Sequence, residues 1–170
     1  MKRIKKQFVC LIVCAIVMST MSGCLRVKRT EDLSDYLHTK VPLHYDHVLF
    51  PDKDQIPTNG VKLYRSESIS SLMFDDIYFL LSCSYTDDAY ASELERIKSC
   101  GAEYQQDLFA WPAYVMVFSG NCFEYVLQHT QDNTLIYVYA QTADWNIFDN
   151  FPKEYRPLVK ETVYIDGYSD

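Results

Sequence analysis

Cys24 is the residue best placed for covalent chemistry. It follows Met21-Ser22-Gly23, and small residues directly before a cysteine let a peptidase draw the extended chain into a narrow cleft. A thiol at such a point is a nucleophile able to form a thioether. Of the six cysteines, Cys10 and Cys14 lie upstream of that point, which leaves Cys83, Cys100 and Cys122. Their odd number permits at most one disulfide, and their wide spacing matches no zinc pattern. All three are expected to fill small buried positions at strand or helix ends.

Other reactive groups form weaker patterns. His44-Tyr45-Asp46-His47 sets two imidazoles three residues apart, which would share one face of a helix. Pro42 argues for extended chain instead, where positions i and i+3 point to opposite sides, so no metal site is expected. Asp52-Lys53-Asp54 starts like a calcium loop, but Ile56, Pro57 and Leu63 stand where a ligand, a glycine and the closing glutamate belong. Asp75-Asp76 and Asp87-Asp88 are paired carboxylates, yet adjacent side chains diverge, and Asp87-Asp88 suits the start of a helix. His129 has no partner nearby in sequence. Nucleophile-elbow, zinc-protease and phosphate-loop motifs are all missing, and no cofactor is implied. One alternative stays open: a hydrolase-like enzyme in which Asp75 or Asp76 meets His44, His47 or His129. The 14 tyrosines suggest a different role, with Tyr125, Tyr137 and Tyr139 as a candidate surface for an envelope protein or glycan.

The elements around Cys24 make its chemistry specific. Lys2-Arg3-Ile4-Lys5-Lys6 is a basic start, and Phe8 to Met18 is an unbroken apolar run. As a helix that run spans about 17 Å, well short of the roughly 30 Å hydrocarbon core, as in a signal-peptide core. Basic start, apolar run and Met21-Ser22-Gly23-Cys24 together resemble the signal and lipobox of bacterial lipoproteins, with Met21 where leucine is usual. The resemblance implies that residues 1–23 are removed and that Cys24, lipidated, anchors the chain to the cell membrane on its extracytoplasmic face. The competing reading is an uncleaved signal anchor over Phe8 to Leu25, which also places the rest outside the cytoplasm.

The chain has 170 residues, 48% hydrophobic and 23% charged, which is globular and enough for one domain. Its net charge of -7 hides an asymmetry. Four of the 16 basic residues precede Cys24, whereas all 23 acidic residues begin at Glu31, so the mature part carries 12 positive against 23 negative charges, or -11. That sign argues against a nucleic-acid partner, and none is expected.

Residues 24–43 read as a polar lipidated stalk with a short helix over 31–37, and 44–170 as one extracytoplasmic domain. Val61 to Arg65 alternates and predicts an edge strand, followed by a serine-rich loop over 66–71 and an anchoring turn at Leu72 to Phe74. Ile77 to Tyr85 is the strongest strand, with Ile77, Phe79, Leu81, Cys83 and Tyr85 on its core face. A helix over 88–100 follows, with Tyr90, Ala91, Leu94 and Ile97 as its inner stripe, Glu93–Arg96 and Glu95–Lys98 pairs outside, and Gly101 closing it. Ala113 to Phe118 is a short strand. Cys122 to Thr130 and Thr134 to Thr142 form a hairpin about Gln131-Asp132-Asn133. The tail is irregular, pinned by Trp145, Phe148, Phe151 and Tyr155, with a last strand at Val163 to Ile165. The expected class is α+β: one main helix on a mainly antiparallel sheet of about five strands, with the helix as a crossover that gives one parallel pair. Asp75 to Tyr85, Ala91 to Ser99, Pro112 to Phe118 and Leu135 to Gln141 resemble segments of small uncharacterised lipoproteins of Gram-positive anaerobes, a resemblance that implies no activity.

Overall fold

The computed structural model describes residues 26–35, 48–70, 75–119, 122–141 and 151–158. Cys24, His44, His47, Leu72 to Phe74, Trp145, Phe148 and Val163 to Ile165 lie outside them. Among the described residues the fold is α+β, one α-helix on an antiparallel sheet, but the sheet has seven strands rather than about five. In chain order they are β1 (Arg26–Thr30), β2 (Val61–Ser70), β3 (Asp75–Ser84), β4 (Glu103–Gln105), β5 (Ala113–Ser119), β6 (Cys122–His129) and β7 (Thr134–Gln141), with α1 (Asp87–Ser99) after β3. Their order across the sheet is β1-β2-β3-β7-β6-β5-β4, and every adjacent pair is antiparallel.

That order corrects four expectations. Part of the expected stalk is sheet, because Arg26 to Thr30 pairs with Ser70 to Ser66, while residues 36–43 lie outside the described residues. β2 is therefore not an edge, and its serine-rich part is strand rather than loop. Ladders on both sides hold that backbone, so small polar side chains do not break it, and Ser66 is itself buried. Among the described strands no parallel pair forms, because α1 carries the chain to the far edge and β7, not β4, returns beside β3. The edges are blunted by charge on β1 (Lys28, Arg29) and by shortness on β4, which limits stray edge pairing.

Both faces of the sheet are covered, so its central strands are apolar on both sides. Ile77, Phe79, Leu81 and Cys83 of β3, with Tyr137 and Tyr139 of β7, pack under α1 around Ile97, Leu49 and Phe50. Tyr78 and Leu80 of β3, Tyr125 and Leu127 of β6 and Ile136 and Val138 of β7 face the other way, against Phe109 and Phe151. The irregular tail does use aromatics as expected: Phe151 is buried and Tyr155 packs beside it.

Local signals place α1 and the hairpin. Gly101 has φ +82, the left-handed conformation that closes a helix C-terminus. Asn133 has φ 51, and its side chain donates to Asp87 Oδ1 at 2.5 Å, tying the β6–β7 turn to the first turn of α1. The Thr86 N-cap makes no side-chain cap bond. The inner stripe differs at one position: Ala91 is exposed, and buried Glu93 stands with Tyr90, Leu94 and Ile97 instead. Gly60 is required for space, since a Cβ there would lie 2.3 Å from the Ser84 carbonyl oxygen.

Candidate functional site

Tyr125, Tyr137 and Tyr139 are each 0% exposed, so they are not a docking surface. Alternation along two central strands turns Tyr137 and Tyr139 toward α1 and Tyr125 toward the opposite layer, and both layers are closed. Their hydroxyls are spent on internal bonds. Tyr125 donates to the Tyr155 carbonyl at 2.7 Å, and Tyr137 donates to Glu93 Oε1 at 2.8 Å. Because Tyr137 has one hydrogen and gives it to the carboxylate, Tyr85 is the donor in the 2.8 Å Tyr85–Tyr137 bond.

Under α1 lies a charged clasp. Arg96 grips Glu93 with two parallel bonds, Nε to Oε2 at 2.9 Å and Nη2 to Oε1 at 2.7 Å. The same guanidinium donates to the carbonyls of Val48 (3.2 Å) and Leu49 (2.6 Å). From the sheet side, Glu124 Oε1 accepts the amides of Leu49 (3.0 Å) and Phe50 (2.9 Å). The backbone of residues 48–50 is thus held on one side by a cation and on the other by a carboxyl. Burial alone would lower Arg96, but its hydrogen bond to Glu93 and that residue's charge outweigh it and keep the guanidinium protonated. Burial raises Glu124 from 4.5 to about 8, against the opposing pull of the 48–50 amides and Arg96. Its Oε2 has no hydrogen-bond partner among the described residues, as befits a carboxyl that keeps its proton at neutral pH.

The thiols are quiet. Cys83 and Cys122 are buried, Cys100 is half-buried at the end of α1, and none forms a disulfide. Burial pushes Cys83 up to about 12 and also raises Cys122, whose S–H donates to the Tyr139 hydroxyl at 3.2 Å. Thiolate chemistry is suppressed at both.

His129 ends β6 beside Asp132, Nδ1 to Oδ1 at 2.6 Å, and Trp111 meets its ring edge-on at 4.8 Å. Tyr155 lies 5.9 Å from Trp111. The three rings are half-exposed and form the aromatic group that most nearly resembles a platform for a ligand. The hydrogen bond from His129 holds Asp132 below the usual carboxylate range. Asp76 is not part of this group. His129 is level with Thr134 and Ser84, eight residues along β3 from Asp76, a separation of about 27 Å. Among the described residues no three potential metal ligands converge.

No known protein family, curated protein or solved structure matches the chain. The Glu93–Arg96–Glu124 clasp was missed in the sequence, although Glu93 and Arg96 at i and i+3 were paired; only their burial was unforeseen. Glu124 carried one usable signal, a lone carboxylate in the otherwise apolar or aromatic run from Cys122 to Leu127. The Trp111–His129–Tyr155 group joins three separate segments and left no local pattern to find.

Proposed function

We propose that this chain is a lipid-anchored, extracytoplasmic protein whose domain binds an envelope protein or glycan rather than transforming a substrate. The observation that carries the reading is the run of basic start, short apolar core and Met21-Ser22-Gly23-Cys24. Diacylglyceryl on the Cys24 sulfur supplies two acyl chains, enough for stable anchoring at about 0.8 kcal/mol per buried CH₂. No helix among the described residues is long and apolar enough to cross a membrane. Trp111, His129 and Tyr155 replace the three buried tyrosines as the proposed contact surface, since an aromatic platform with a polar pair suits a sugar face or a protein hot spot. The reading is tested by Cys24→Ser in the full chain, followed by detergent-phase partitioning. The substituted protein should move to the aqueous phase; unchanged retention with detergent would instead indicate a spanning segment.

A further inference from the structure

We propose that the β1 edge of the sheet is a membrane-contact surface, laid against the anionic headgroups of the bilayer that holds Cys24. The inference rests on the lipid-anchor reading. Only Leu25 separates Cys24 from Arg26, the first residue of β1. Two residues of extended chain reach at most about 7 Å, comparable with the headgroup layer of one leaflet. β1 is hydrogen-bonded to β2 from Arg26 to Thr30, so it moves with the sheet and not as a tether. A lipid on Cys24 therefore decides which part of the domain faces the bilayer.

Charge agrees with that placement. β1 reads Arg-Val-Lys-Arg-Thr, three cations and no carboxylate. Arg29 is answered by Glu31 at 3.1 Å and Glu67 at 3.8 Å, whereas Lys28 is exposed and makes no ion pair among the described residues. The rest of the mature chain is acidic, so an anionic surface repels most of the domain and attracts this edge. Asp75 and Asp76 share the Arg26 end of the sheet but lie two strands inward, about 10 Å away. Asp87, Asp88 and Asp132 gather at the opposite end, where β3 runs into α1 and β6 turns into β7. Exposed Tyr104 on β4 marks the far edge, six interstrand spacings or about 29 Å from β1, several Debye lengths away.

The test uses the full chain purified from membranes, its mass recorded, and reconstituted in phosphatidylcholine vesicles with or without phosphatidylglycerol. A fluorophore is placed at Ser68→Cys, opposite Lys28, or at Tyr104→Cys, each in a Cys100→Ser background, and quenched by headgroup-nitroxide lipid. Quenching at position 68 should exceed that at 104 several-fold. The ratio of docked to undocked protein should fall roughly 25-fold with Lys28→Glu, which removes one cation and adds one anion, and by a comparable factor without phosphatidylglycerol, each charge near such a surface being worth roughly five-fold. A Gly/Ser insert between Leu25 and Arg26 should erase the contrast while the lipid mass persists. Equal quenching at the two positions, or a contrast indifferent to phosphatidylglycerol, overturns the docking while a lipid mass on Cys24 leaves the anchor standing. A chain without that mass overturns both.

Discussion

The two faces of the sheet are closed by different means. On one, a regular helix covers the strands, and the space beneath it holds ionisable groups: the Glu93–Arg96 ion pair and the protonated Glu124 around the backbone of 48–50. On the other, residues 108–111 and 151–158 cover the strands with rings, Phe109 on Tyr125 at 4.5 Å and Phe151 on Tyr78 at 4.9 Å. A helix satisfies its own backbone, so its inner face has side chains to spare for another segment's orphan groups. An irregular cover has few backbone bonds of its own and depends on large apolar area and single hydroxyl contacts. The clasp should therefore fail through charge and pH, and the aromatic face through volume.

The largest expected effect is on the aromatic face. Tyr125→Ala should lower stability by about 4 kcal/mol, the cost of emptying a fully buried ring, in urea unfolding. Tyr125→Phe, which keeps the ring and loses the bond to the Tyr155 carbonyl, should cost about 1 kcal/mol. Equal losses from the two would place the hydroxyl, not the ring, at the centre of this face.

Next comes the clasp. Arg96→Ala should cost about 3 kcal/mol, because it leaves Glu93 buried without its cation, the Leu49 carbonyl without its side-chain donor and the Val48 carbonyl with only the Cys100 thiol. Arg96→Lys should recover only part, since an ammonium cannot reproduce the two-pronged grip on Glu93. Full recovery would mean that charge alone matters there.

The subtlest effect is in pH. Glu124 binds its proton more tightly folded than unfolded, so between about 4.5 and about 8 the folded state holds the extra proton. Its contribution to stability must then fall as pH rises through that window and level off above it. Glu124→Gln carries no such proton. The stability difference between the variant and the parent should move in the variant's favour from pH 5 to pH 8. A difference independent of pH would show that Glu124 is ionised in the folded protein.

Much of the fold was legible because local patterns fixed it. The apolar run of β3, most of the inner stripe of α1, Gly101 and the turn between β6 and β7, whose loop is the four residues 130–133 rather than three, all express themselves within a few residues. The sheet's size and edges were not legible, because β1 is recognisable only through its partner. Arg-Val-Lys-Arg-Thr has the composition of a tether and becomes a strand by pairing with a serine-rich segment about 40 residues on. The tyrosines failed as a surface for a related reason: their alternation was visible, but the layer that buries Tyr125 comes from Phe109 and Phe151, which no nearby spacing announces. The charged clasp depends on residues 48–50 threading between α1 and β6, a contact spanning some 75 residues.

The placement of the whole molecule turns on one sulfur atom. Intact mass measurement of the protein extracted from membranes tests it most directly. The account requires loss of residues 1–23 and a diacylglyceryl-sized addition on the new N-terminal Cys24. A chain that keeps its first residues, with Cys24 unmodified, would contradict it.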